Sequence, residues 1–132
     1  MGYASAALRS PERMYRQIDV AGRTATADGA GLVQLLYEEL IHALRAAAHA
    51  AERGNRAAKS ERVTRATAIL FALEAGLDFE AGGDVSRTLA AVYAGARRQV
   101  VSASLGDDPQ PFREAATNLG EIAEAWASMR AR

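Results

Sequence analysis

The sequence predicts an all-α protein, an antiparallel four-helix bundle preceded by a short N-terminal helix or arm. Three observations predict it. Strong helix formers (Ala, Leu, Arg, Glu) dominate from Leu32 onward, and β-branched residues are scattered rather than alternating. Capping and stop signals punctuate that stretch at Gly54-Asn55, Gly82-Gly83 and Gly106 to Pro109. The connections so defined are short, which makes consecutive helices antiparallel neighbours.

Residues 1–28 read as a flexible N-terminal arm. Within it, Ser10 can cap and Pro11 can open one or two helical turns over SPERMYRQIDV, and AGRTATAD (21–28) is a connector. The bundle takes 29–130, with helices expected at about 29–53, 56–80, 84–105 and 109–130. Asp28 is the expected cap of the first helix and Gly54-Asn55 its stop. The second opens between Arg56 and Ser60 and runs into LDFEAGGDV (77–85). There one glycine is expected to take the left-handed conformation that ends a helix. The other gives slack before Asp84, the expected cap of the third helix. Gly106 ends the third. Asp107 or Asp108 caps the last helix, with Pro109 in its first turn, where the missing N–H costs nothing.

The periodicity fits helices that pack on one another. Phe112, Ala116, Leu119, Ala123 and Trp126 form one stripe at helical spacing on the last helix. The helix at 29–52 is more apolar. Val33, Leu36, Leu40, Leu44, Ala47 and Ala51 make its central stripe, widened by Tyr37, Ile41 and Ala48 on one side and by Leu32, Ala43 and Ala50 on the other. This arc covers about half the circumference, well beyond the ≳100° of an ordinary surface helix. Two readings stay open: the helix is central and touches two neighbours, or part of its arc is a groove for a partner.

Bulk properties exclude several classes. A chain of 132 residues is the size of one domain. Sixteen basic and sixteen acidic residues balance, which argues against a nucleic-acid binder. The absence of cysteine removes disulfides, thiolate metal sites and cysteine nucleophiles. No stretch approaches the ~20 apolar residues of a membrane span, and the N-terminus lacks an apolar signal core. Gly2 is followed by Ala6 where a myristoylation motif needs Ser or Thr. The expectation is a soluble cytoplasmic protein without membrane insertion.

No enzyme constellation emerges, and no cofactor is expected. The Gly82-Gly83 pair follows a helix and precedes no lysine, so it is no phosphate loop. Glu39 and His42 have the Glu-x-x-His spacing of di-iron bundles, but His49 has Ala46 three residues before it and the second motif is missing. The pair also lies on the polar arc, so no metal site is expected. Arg97-Arg98 sits late in its helix, where basic residues face the negative end of the helix dipole.

Several stretches, in order, resemble the flagellar secretion chaperone family FliS. They are MYRQ (14–17), LVQLLYEELIHAL (32–44), LDFEAGGDVSRTLAAVYAGARRQVVSASLGDDPQPFREA (77–115) and LGEIAEAWASM (119–129). The chain departs from the family pattern at Asp28-Gly29-Ala30-Gly31, where Ser-Pro-Glu-Glu is common, and over 56–76, where only the apolar rhythm matches. The resemblance implies a cytoplasmic chaperone, not an enzyme, that binds the C-terminal segment of flagellin. It would prevent premature polymerisation and deliver the subunit to components of the flagellar export gate. It also implies an N-terminal segment that lies over the client groove, with Tyr15 and Ile18 matching that role. The wide arc then suggests a groove with Tyr37, Ile41 and Ala48 on one wall and Leu89, Val92, Tyr93 and Ala96 on the other. The alternative from another class is a helical-bundle adaptor or regulator that binds some other amphipathic helical peptide.

Overall fold

A computed structural model describes residues 29–130. Four helices follow one another: α1 (Gly29–Glu52), α2 (Arg56–Ala75), α3 (Phe79–Ala103) and α4 (Gln110–Arg130). No strand occurs among the described residues. The expected arm at 1–28, with Asp28, Tyr15 and Ile18, lies outside them. The helices form an antiparallel four-helix bundle, in which α1 packs on α2 and α4, and α3 closes the ring against α2 and α4 with thinner contacts.

The wide arc of α1 is explained by that position. Leu36, Leu40, Leu44, Ala47 and Ala51 are buried, and so are the flanking Tyr37, Ala43, Ala48 and Ala50. Glu38, His42, Arg45, His49 and Glu52 remain in solvent. Alanines on both flanks let α2 and α4 approach closely, and Ile41 meets α4 beside Gly120. The Ile41 Cδ1 lies 3.9 Å from where a Cβ at position 120 would stand. The α4 stripe behaves as its spacing predicts: Phe112, Ala116 and Leu119 are buried, with Ala123 and Trp126 packed at the edge of the core.

The two ends of the bundle differ. At the end holding the α1–α2 and α3–α4 connections, polar groups fasten the helices together. Gly54 takes a positive φ of 69° and Asn55 caps α2, its side chain accepting the Ala58 N–H at 3.0 Å. Buried Lys59 donates to the Gly106 carbonyl at 2.7 Å, which ties α2 to the turn after α3. Gln99 donates to the Pro111 carbonyl at 3.0 Å, and Arg113 pairs with Glu52 at 2.6 Å. At the opposite end the backbone is least regular, with a helix stop at Gly76 and a break at Gly83.

That irregularity corrects two expected boundaries. The second helix stops at Ala75 rather than near 80, with Gly76 as its cap, and Asp78 rather than Asp84 starts the next. The Asp78 carboxylate accepts the N–H groups of Glu80 and Ala81 at 3.1 and 2.9 Å. Asp84 instead pairs with Arg87 on the surface. The glycine pair therefore sits inside α3, one turn from its start, and breaks it. Gly83 has φ 52° and ψ −124°, a combination open to glycine and strained for any side chain. Gly82 is needed for a different reason: a Cβ there would lie 2.0 Å from the Ser86 hydroxyl oxygen. Each glycine answers a separate steric demand.

Gly83→Ala should accordingly lower stability by about 1–3 kcal/mol in a denaturant titration. Gly106→Ala, at a glycine with open space and no positive φ, should stay within about 0.5 kcal/mol.

Candidate functional site

The open end of the bundle contains a cavity of about 540 Å³. Leu32, Val33 and Leu36 of α1 form one wall, and Leu73 and Leu77 a second. Val85, Leu89 and Tyr93 of α3 form the third, and Trp126 of α4 closes the floor. The lining is mainly hydrocarbon, and the volume falls within the range of about 300–1,000 Å³ usual for binding pockets. Leu36, Leu73 and Tyr93 are buried within it, whereas Val85 is 66% exposed at its rim.

The first turn of α3, before the break at Gly83, contributes Asp78, Ala81 and Gly82 to the wall. Below the cavity, Tyr37 and Tyr93 reach across the bundle from α1 and α3. Their hydroxyls share a hydrogen bond of 2.5 Å and their ring centroids lie 6.3 Å apart. Both phenols are buried without a charged partner. Burial is the main cause that raises each of their pKa values, and the bond to Tyr93 raises that of Tyr37 further, against a smaller opposing effect of Trp126.

The residues named from the sequence fall into two groups. Tyr37, Ala48, Tyr93 and Ala96 are core: their side chains are at most 8% exposed. Ile41 is half-buried against α4 near Gly120, and Leu89 and Val92 are half-buried on α3. Of the seven, only Leu89 and Tyr93 line the cavity. Leu32, Val33, Leu77, Val85 and Trp126 were not marked as one site by sequence reasoning. Their shared location depends on where α2 ends and α3 begins, and periodicity alone does not fix that. The available signal was Gly76 together with Asp78, a stop and a cap two residues apart.

Other candidate groups are occupied by structural partners. Glu39 accepts from Arg65 at 2.6 Å, and His42 is exposed beside it. Arg97 pairs with Glu74 and lies over the Phe71 ring at 4.3 Å, while Arg98 points to solvent. Among the described residues there is no cluster of three or more His, Cys, Asp or Glu suited to a metal ion. No helix among them is long and apolar enough to cross a membrane.

A four-helix bundle with an apolar cavity at one end defines a helical binding protein, and comparison with known proteins makes the class specific. Residues 11–132 match the family model described as flagellar protein FliS. The flagellar secretion chaperone FliS of Salmonella typhimurium is 33% identical over 115 residues, covering 86% of this chain and 85% of that protein. The flagellar secretion chaperone FliS of Vibrio cholerae is 29% identical over 119 residues, covering 90% and 88%. FliSB of Pseudomonas aeruginosa, also a flagellar secretion chaperone, is 27% identical, covering 86% and 90%. The chain belongs to the FliS family of flagellar secretion chaperones.

The tyrosine pair predicts a pH dependence. The folded state holds these phenolic protons more tightly than the unfolded chain does, whose tyrosines titrate near ~10. Their contribution is therefore complete below about pH 10 and is lost as pH rises beyond it. Thermal melts between pH 8 and 11 should show Tm falling above about 10, and the fall should be smaller in the Tyr37→Phe/Tyr93→Phe double variant.

Proposed function

We propose that this chain is a cytoplasmic chaperone that binds the C-terminal segment of flagellin, prevents premature polymerisation and hands the subunit to components of the export gate. The observation that carries the reading is the apolar cavity at the open end of a bundle in this family. A secretion chaperone has to hold a protein client, and an amphipathic segment that folds as it binds needs an apolar recess for its large side chains. Each Leu, Phe or Met inserted would contribute about 1.5–3 kcal/mol before ordering costs.

The client surface proposed from the sequence is carried forward in modified form. Leu89 and Val92 offer accessible apolar area on α3, and Val85, Leu32 and Val33 extend it into the cavity. Tyr93 is a buried part of the cavity wall, Tyr37, Ala48 and Ala96 are core, and Ile41 is half-buried beside α4. The reading also includes the N-terminal arm, with Tyr15 and Ile18 competing for the same surface. Gly29 lines the cavity, and Ile18 precedes it by eleven residues, a span of at most about 40 Å of extended chain. Isolated helices under ~12 residues are marginal in water, so such an arm would dock reversibly.

The test is co-purification with flagellin, with and without its last ~40 residues, a length of several helical turns. Binding should require those residues. Val85→Glu should weaken it by about tenfold or more, equivalent to about 1.4 kcal/mol, with an almost unchanged melt because Val85 is exposed in the free protein. Leu40→Glu, at a fully buried position, should collapse the melt instead. Deleting residues 1–20 should leave affinity equal or higher. Flagellin binding that survives loss of its C-terminal segment would remove the client assignment.

A further inference from the structure

The six residues from Leu77 to Gly82 are built differently from the helices on either side. α2 has ended at Gly76, whose N–H donates back to the Ala72 carbonyl at 3.1 Å. The Asp78 side chain then caps a single turn, and the Gly82 N–H closes that turn on the Asp78 carbonyl at 2.8 Å. At Gly83 the backbone leaves the helical region altogether. The turn is thus a small unit with its own cap, placed between a helix stop and a helix break.

Its position gives the unit significance. Leu77, Asp78, Ala81 and Gly82 all line the apolar cavity, so the turn is one of its walls. Little holds that wall in place. Asp78, Phe79, Glu80 and Ala81 are exposed, and no ion pair among the described residues involves Asp78 or Glu80. Among the described residues, the side-chain hydrogen bond that spans the Gly83 break runs from the Ser86 hydroxyl to the Asp78 carbonyl, at 2.8 Å. Ser86 is itself buried, and Gly82 is bare of a side chain where that hydroxyl passes. Opening would release both partners of this bond to water, so neither would be stranded.

We propose that the turn 77–82 is a hinged gate on the apolar cavity, pivoting at Gly83 and latched by the Ser86 hydroxyl on the Asp78 carbonyl. Segments with few buried contacts open locally at a small fraction of the global unfolding cost, and this turn has few. The service such a gate performs, admitting a client, rests on the functional reading above; the motion itself does not.

The absence of cysteine in the chain makes the motion measurable with a single introduced thiol. Leu73→Cys places the thiol inside the cavity at a position 5% exposed, and Leu44→Cys places it in core that does not line the cavity. Each variant of the full chain is labelled with 5,5′-dithiobis(2-nitrobenzoate), with and without Ser86→Ala. Loss of one hydrogen bond should speed labelling of the Leu73→Cys thiol by about two- to tenfold. Labelling of the Leu44→Cys thiol should stay constant within about twofold. Equal acceleration at both positions would mean global loosening, and no acceleration at Leu73→Cys would mean no latch; either result overturns the proposal. Hydrogen exchange on the unsubstituted chain gives a second reading, independent of any variant's folding. The Gly82 amide should exchange at least about tenfold faster than amides of residues 93–100, and equal protection would again overturn the gate. No flagellin enters these measurements, so failure of the gate and failure of the client assignment are separable.

Discussion

Half the circumference of α1 is apolar, and a single neighbouring helix cannot cover that much. This constraint organises the rest of the molecule. Two helices, α2 and α4, must flank α1, and α3 is left to close the ring from the far side. The alanines at 43, 47, 48, 50 and 51 make the double contact possible, because they bring both neighbours in without bulky side chains between them. Larger residues, Leu40, Leu44 and Tyr37, fill the middle where the four helices converge. α3 is thereby the least firmly held of the four, and the two features of interest, the broken first turn and the cavity beside it, both involve α3.

The fold was legible because it rests on helical periodicity and caps, which are local. The α4 stripe from Phe112 to Trp126 and the Gly54-Asn55 junction could be read directly from spacing and residue type. The α2–α3 junction could not. GLDFEAGGDV (76–85) contains three glycines in ten residues, and the conspicuous pair outweighed the single Gly76 and its companion Asp78. What separates them is tertiary: Ser86 needs to reach the Asp78 carbonyl, which bars a side chain at position 82 and sets the break at 83. No pattern within the segment reports a hydroxyl four residues further on.

The candidate site shows the same division. The arc on α1 was visible as an excess of apolar residues, and two explanations fitted that excess, a central position more readily than a groove. The structure uses most of it for packing: Tyr37 and Ala48 are core. Accessible apolar surface lies instead at the end of the bundle, on residues that look ordinary in sequence, such as Val85 and Leu77. An amphipathicity argument finds which face of a helix is apolar, but it is blind to where along that helix the neighbours stop covering it.

The two ends of the bundle suggest why stability and openness coexist in so small a domain. One end is fastened by Lys59 on the Gly106 carbonyl, Gln99 on the Pro111 carbonyl and the Arg113–Glu52 pair. These bonds hold α2, α3 and α4 in register without using the apolar surface at the other end. Between the ends, the Tyr37 and Tyr93 hydroxyls share one hydrogen bond across the bundle. The Ser86 hydroxyl is likewise occupied. The recess is lined mainly by hydrocarbon. A charged or amide side chain entering it would give up more hydration than an aliphatic or aromatic one. A mainly apolar lining of this kind favours apolar side chains over charged ones.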